Sequence, residues 1–389
     1  MSYHFATPGY NLFRYLKNRE LDELYLAMFI KTLARSLILV FIPIYLASLG
    51  FSIRFIALFY LLEFIGMAAA TPIGLWLNSK IGVKKTMVFA DVFFVGYMVA
   101  VNAISATGWY IILPTLMFAI SGGLFWAGYH VDFTKNADIK DEGKEISFVK
   151  SLVVLGSALG PLLGSLLIVG ASYTASFIAA AVLISLGALP LLLSKDFKTP
   201  QPRFSWPRLK RADDADKARS YIAFGVMQLT NETFWPLFIF LALRSVLDVG
   251  LVFTLTSLLI IVALIWFGRR VDARPRQSLI AGVWLHAPSW IARIFFLSPL
   301  GFFLSNTYGQ LSYQLMDTAF EKVVYSEAKA SHDVANYFLF RQIFIGIGRF
   351  LVCGLVFLTG SLELAFVFTG IVLFAHLSLA KRLSIRADV

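Results

Sequence analysis

The chain is predicted to be an all-α integral membrane protein of twelve transmembrane helices in two six-helix bundles. Three observations predict it: apolar stretches of roughly 18 to 25 residues fill almost the whole chain, cations gather in alternate gaps, and one long polar connection divides the stretches six and six. A bilayer core about 30 Å thick needs about 20 apolar residues per helix, because backbone amides in lipid are satisfied only internally. With 58% hydrophobic and 15% charged residues over 389 positions, and a mean hydropathy of +0.75, a soluble domain is excluded.

The spans are expected near 24–47, 53–77, 86–105, 109–132, 146–170, 173–194, 220–243, 249–267, 278–297, 300–320, 334–358 and 361–380. Arg54 marks the gap after the first, Asn78, Lys80, Lys84 and Lys85 the gap after the second, and Lys135 the end of the fourth. From Lys195 to Arg219 runs the mixed-charge linker with Pro200, Pro202 and Pro207, which separates an N-terminal bundle (1–194) from a C-terminal one (220–389). Arg244 stands between spans 7 and 8, Arg274 and Arg276 between 8 and 9, and Lys322 after 10.

Cations sort strongly by side. Arg54 and Arg244 are the loop cations of one face; all the other cations outside the spans lie in the termini or the remaining loops, so both termini are expected in the cytoplasm of a cell membrane, a prokaryotic inner or plasma membrane. The net charge of +11 is therefore a topology signal, and nucleic acid is not an expected partner. The single Cys353 lies in an apolar span and reads as a small buried hydrophobe. Arg14, Lys17, Arg19 and Glu20 precede the first span without a signal peptide's short apolar core, so that span is expected to act as its own insertion signal.

Evidence of duplication comes from two loops. Gly74, Asn78 and Lys80 recur 194 residues later as Gly268, Asp272 and Arg274, half the chain length away. Here the sequence resembles the major facilitator superfamily, whose members carry a G-x-L-x-D-x-x-x-R type motif in these loops; Gly268, Asp272 and Arg276 fit it, whereas the first copy has Asn78 and Gly82 at the acidic and closing basic positions. Physically, the glycines allow close helix approach, and the charged loops are expected to bond across the interface between halves. In span 5, Gly156, Gly160, Pro161 and Gly164 resemble an element of the same superfamily's drug and proton antiporters, with Ser147 and Ser165 at the outer glycine positions. The same row is also a generic flat packing face with a proline bend.

Six cations fall inside spans: Lys31, Arg35, Lys150, Arg293, Arg341 and Arg349. Burial of such a charge costs about 2.5–3.5 kcal/mol on insertion scales, so each is expected to face a cavity or a partner. Lys31 and Arg35 share one face of span 1; Gln228 and Glu232 repeat that spacing on span 7, 197 residues on. The resemblance implies that helices 1, 4, 7 and 10 line a central cavity, which makes Lys31, Arg35, Gln228, Asn231 and Glu232 candidates for binding solute and proton. Glu63 on span 2 belongs to the same candidate group: it either pairs with Arg35 or titrates alone, and Glu232 or Glu63 is expected to bind the coupling proton. Around Glu232, Thr230, Asn231, Thr233, Trp235 and Pro236 form a polar, helix-weakening cluster. Asp132, Asp317 and Arg341, near the cytoplasmic ends of spans 4, 10 and 11, are expected to form ion pairs at a gate, as are Lys135 and Lys322. Of the histidines, His130, His286 and His376 lack the convergent spacing of metal ligands and read as bonded core or interfacial groups.

With no phosphate-binding loop or metal cluster in sight, neither enzymatic activity nor a cofactor is expected. The reading is a monomeric secondary transporter that exposes a mid-membrane site to each side in turn. A proton-coupled exporter of a small organic solute is the first expectation, uptake or exchange of an anionic metabolite the second. A non-transporting receptor or a lipid-modifying membrane enzyme is the alternative from another class.

Overall fold

A computed structural model of the chain describes residues 19–104, 110–136, 142–201, 212–331 and 334–387, with side chains placed for 26–104, 110–135, 154–201, 215–261, 263, 274–331 and 334–381. The described residues form twelve helices. The first half holds α1 (19–48), α2 (Ile53–Lys80), α3 (Val83–Asn102), α4 (Ile112–Asn136), α5 (Glu142–Gly170) and α6 (Tyr173–Leu193). The second holds α7 (212–243), α8 (Val246–Ala273), α9 (275–295), α10 (Pro299–Ala330), α11 (Val334–Thr359) and α12 (362–387). Eight of them are long and apolar enough to cross a bilayer by length and composition, and the described parts of α5 and α8 add the shorter apolar runs Val154–Gly170 and Val246–Ile261.

Helix starts at the end away from the basic loops use one device. Ser52, Ser172, Ser298 and Ser361 each sit just before a helix and accept a hydrogen bond from the backbone N–H three residues on, at 3.2, 3.2, 3.0 and 3.2 Å. Ser245 does the same for Asp248 N–H at 3.2 Å. Each bond satisfies an orphan donor of the first turn, which lets the chain reverse in a few residues. At the basic end Asp196, just past α6, caps α3 by accepting from the N–H groups of Lys84 and Lys85 at 2.8 and 3.2 Å. Gly82 turns into that cap at φ 113°, where a side chain would also collide with the Asp196 carboxylate.

Two helices are broken at matching places. In α1 a 3-10 turn spans Leu39–Phe41 ahead of Pro43, and in α7 a π turn spans Thr230–Phe234 ahead of Pro236. A proline ring collides with the carbonyl four residues earlier, here Leu39 and Glu232, so the helix must tighten or widen one turn before it. The π turn carries Asn231 and Glu232.

Close packing follows small residues. Gly156 of α5 lies so near α1 that a Cβ there would be 2.9 Å from the Phe29 carbonyl oxygen, while methyls on Gly160 and Gly164 would overlap Ser36 and the Leu37 carbonyl. The other half repeats the contact: Gly225 of α7 sits on the Ile345 carbonyl and Gly348 of α11 on the Ile222 carbonyl. Between halves, α2 packs on α11 and α5 on α8. There Gly346 approaches Ala68, and Gly250 approaches Ser165 and the Pro161 carbonyl. Backbones pressed this close gain dispersion contacts that bulky side chains would forbid. Large apolar side chains such as Val99, Ile112, Leu193 and Leu358 are left exposed on the outside, as a lipid-facing surface requires.

Two local readings are revised. The first loop copy bonds within its own half: Gly74 abuts Gly123 and Ala127 on α4, Asn78 Nδ2 donates to the Ala127 carbonyl at 3.1 Å, and Lys80 lies over Trp76 of its own helix. The chain after α6 covers that loop, since Val83 N–H donates to Phe197 and Thr199 N–H to the Asn78 carbonyl. The hydrogen bonds expected across the halves therefore close one bundle. In the second copy Gly268 and Asp272 lie outside the described side chains, as does Lys150, while Arg276 Nε donates to the Ala380 carbonyl at 3.1 Å, again within one half. The other revision concerns length: α10 continues to Ala330, ten residues past the expected end of its span, and α7 begins at Ala212 rather than 220.

Candidate functional site

A cavity of about 530 Å³ lies between the two halves. Its walls come from α1, α4, α7 and α10, with α2, α3, α5, α8 and α11 completing them. Aromatic rings dominate the first-half wall, among them Phe64, Phe94, Phe125, Trp126 and Tyr129, and Tyr313 faces them from α10.

Lys31 and Arg35 enter from α1 on one face, one turn apart. Lys31 is 1% exposed and binds Asp91 of α3 at 2.6 Å. That carboxylate neutralises it, so Lys31 adds no net charge to the site. Arg35 has a different setting: its guanidinium lies 4.9 and 4.6 Å from the ring centroids of Phe94 and Phe125, and it has no hydrogen bond or ion pair among the described residues. Aromatic faces attract a cation but leave its N–H groups unused.

Opposite stands the π turn of α7. Glu232 lies deep in the bundle with its surface open to the cavity, and its Oε1 accepts from Gln228 Nε2 at 3.1 Å. The Gln228 Oε1 accepts in turn from Arg349 of α11 at 2.8 Å. This chain orients the carboxylate, and the fields of Arg349 and Arg35 both reach it. Asn231 accepts from Gln310 of α10 at 2.8 Å, which ties the π turn to its neighbour. Below it Trp235 Nε1 donates to Asn306 at 2.9 Å, and Asn306 donates to Thr256 at 3.0 Å.

Glu63 stands apart. It is wholly buried, does not line the cavity, and forms no ion pair with Arg35; the Tyr97 hydroxyl of α3 is the polar group turned toward it. Arg35 instead lies over the rings of Phe94 of α3 and Phe125 of α4. Glu63 thus stands outside the cavity lining, and the pair expected with Arg35 does not form. The structure brings together Arg35, Gln228, Asn231 and Glu232, with Lys31 and its acid at the edge.

Toward the basic end the cavity lining includes Asp317, Glu321 and Arg341. Arg341 binds Glu321 within the second half and reaches Nε2 of His130 on α4 at 3.1 Å, so of the expected gate residues Arg341 does join the halves. Asp132 and Asp317 are buried nearby. Neither His130 nor the other described histidines, cysteine or acids form a cluster able to hold a metal ion among the described residues.

Asp91, Arg349, Gln310, Asn306 and Glu321 complete the site. Asp91 had a usable signal, a lone acid in an apolar span, which demands a partner. For Gln310 and Asn306, ordinary polar residues on a mixed helix, no such signal exists.

A family model described as Major Facilitator Superfamily matches residues 24–243. Among solved structures, the crystal structure of the human organic anion transporter MFSD10 (TETRAN) superposes with a TM-score of 0.67 at 12% sequence identity, covering 93% of this chain and 99% of that one. At that identity the likeness concerns the fold. No curated protein sequence matches the chain.

Proposed function

The chain belongs to the Major Facilitator Superfamily, and from that premise we propose that it is a secondary transporter of the cell membrane carrying a small organic anion with an aromatic or apolar body, together with a proton. Its termini and basic loops face the cytoplasm on this reading, as the cation distribution supports.

One observation carries the substrate class: Arg35 faces an aromatic-walled cavity with its N–H groups unused, opposite a carboxylate bonded to Gln228 and lying in the fields of Arg35 and Arg349. While Glu232 is ionised it satisfies the arginine field itself. Protonation removes that charge and leaves Arg35 and Arg349 to attract an anionic group, so proton and anion bind together. The rings take the solute body, and alternate opening of the two ends moves both in one direction. With a proton gradient directed inward, such coupling drives uptake. Export, the first expectation from the sequence, drew on the glycine row of α5, and packing against α1 and α8 accounts for that row.

The test is transport into proteoliposomes of paired aromatic probes, a carboxylate and the matching amine, with and without an acid-outside gradient. The carboxylate is expected to accumulate with the gradient, Arg35→Gln to abolish it, and Glu232→Gln to keep counterflow while losing accumulation. Preference for the amine, or full gradient-driven accumulation by Glu232→Gln, contradicts the proposal.

A further inference from the structure

His130 links the two halves at the basic end of the cavity through both of its ring nitrogens. Its Nδ1 lies 3.0 Å from the Tyr325 hydroxyl of α10, and its Nε2 lies 3.1 Å from Arg341 of α11. The ring stacks on Phe338 of α11 with centroids 4.5 Å apart and planes 7° from parallel. A guanidinium has five donors and no acceptor, so Nε2 must offer its lone pair to Arg341. The single proton of the neutral ring therefore sits on Nδ1 and is donated to the Tyr325 oxygen.

This arrangement accepts one protonation state. A second proton would go on Nε2, where it would point at the Arg341 N–H and set two cations in contact. The charged and titratable groups around the ring are Arg341 from α11, Tyr325 and Glu321 from α10 with Asp317 on the same wall, and Tyr129 from α4 itself. Glu321 is already bound by Arg341, so it stands behind the guanidinium and not against the imidazole. Among the described residues, no carboxylate is hydrogen-bonded to either ring nitrogen to favour the charged form.

We propose that His130 is a proton-binding site, separate from Glu232, whose occupation breaks the His130–Arg341 contact and parts α4 from α10 and α11 at the basic end of the cavity. Neutral His130 joins the halves; charged His130 releases them. Among the titratable groups at this end of the cavity, histidine is the one that gains a positive charge when it binds a proton. The site rests on the transport reading for its purpose, as a gate, but its opening is measured without solute, so the two stand or fall separately.

The experiment uses the full chain carrying Cys353→Ala, Lys135→Cys and Ser326→Cys, which places one spin label at the end of α4 and one on the exposed face of α10. Label separation is read by double electron–electron resonance in lipid nanodiscs from about pH 8 down to about pH 5. A longer-distance population is expected to grow as pH falls. His130→Gln, whose amide can still accept from Arg341 and donate to Tyr325, is expected to hold the short distance throughout. Identical distributions at both ends of the pH range with His130 present overturn the proposal, and so does an acid shift that persists undiminished in His130→Gln. If that variant does not fold, Arg341→Gln removes the opposing cation and is expected to abolish the shift; an undiminished shift there is equally fatal.

Discussion

Removing Lys31 while leaving Asp91 is the most direct test of how the first half tolerates charge inside a membrane. Lys31 and Asp91 have side-chain exposures of 1% and 6%, and their 2.6 Å contact joins α1 to α3 in the middle of the bundle. Solvent screening is negligible at that burial. In Lys31→Met the carboxylate keeps its place and loses its counter-charge, and breaking a buried pair in this way costs about 3–5 kcal/mol. For a folding unit of one six-helix half, at roughly 2–4 °C per kcal/mol, the apparent melting temperature should fall by about 10 °C. Asp91→Leu should cost a similar amount, because it strands the ammonium. Replacing both, Lys31→Met with Asp91→Leu, removes two desolvation penalties along with the attraction and should recover most of the loss. The assay is thermal unfolding of the four proteins in one detergent at a fixed scan rate, analysed as a double-mutant cycle. If the double variant loses the sum of the two single losses, the residues are not coupled, and the description of Lys31 as a neutralised structural cation is wrong.

Three other perturbations follow from the geometry. Gly164→Val would force a side chain into the Leu37 carbonyl and should cost about 1–3 kcal/mol or more as overpacking, visible as a lower melting temperature. Trp235→Phe keeps the ring but leaves Asn306 Oδ1 buried without its donor; a loss of about 1–3 kcal/mol is expected, and an unchanged melt would show that the bond contributes nothing. Pro236→Ala restores an N–H and removes the collision that widens α7 at Thr230–Phe234. Glu232 should then rotate away from the cavity, lowering gradient-driven uptake about tenfold, a change of about 1.4 kcal/mol, with little effect on thermal stability. Equal uptake with a straightened helix would disconnect the π turn from function.

Most of the architecture could be read before any coordinates because lipid leaves few options: every apolar run had to be a helix, and the mixed-charge linker had to divide them. Boundaries were less accessible. Span 10 was drawn to end at 320 since Glu321, Lys322 and Glu327 end its apolar run, yet the helix continues because those residues find partners: Glu321 in Arg341, and Glu327 in Lys217 at 2.8 Å. Helical spacing and repetition between halves gave Arg35, Gln228, Asn231 and Glu232 their faces and depth, the family resemblance implied the common cavity, and all four do line it. The pairing of charges was not legible. Lys31 and Asp91 are sixty residues apart, and His130, Tyr325 and Arg341 come from three helices. Spacing along one helix shows which face a residue occupies; it says nothing of which neighbour meets that face. Glu63 illustrates the same limit, since its depth suggested Arg35 as partner and only the packing of α2 on α3 shows it turned toward Tyr97.

Where α5 meets α8, small residues set how the halves move against each other. Gly250 rests there against Ser165 and the main chain at Pro161, so at that level the helices touch through backbone and a single hydroxyl, while Val154 and Ile260 pack together elsewhere on the same seam. At the glycine there is little to unhook: when one bundle tilts on the other, no long side chain must leave one slot there and find the next. That level works as a smooth pivot, and friction would be added by any residue large enough to act as a tooth.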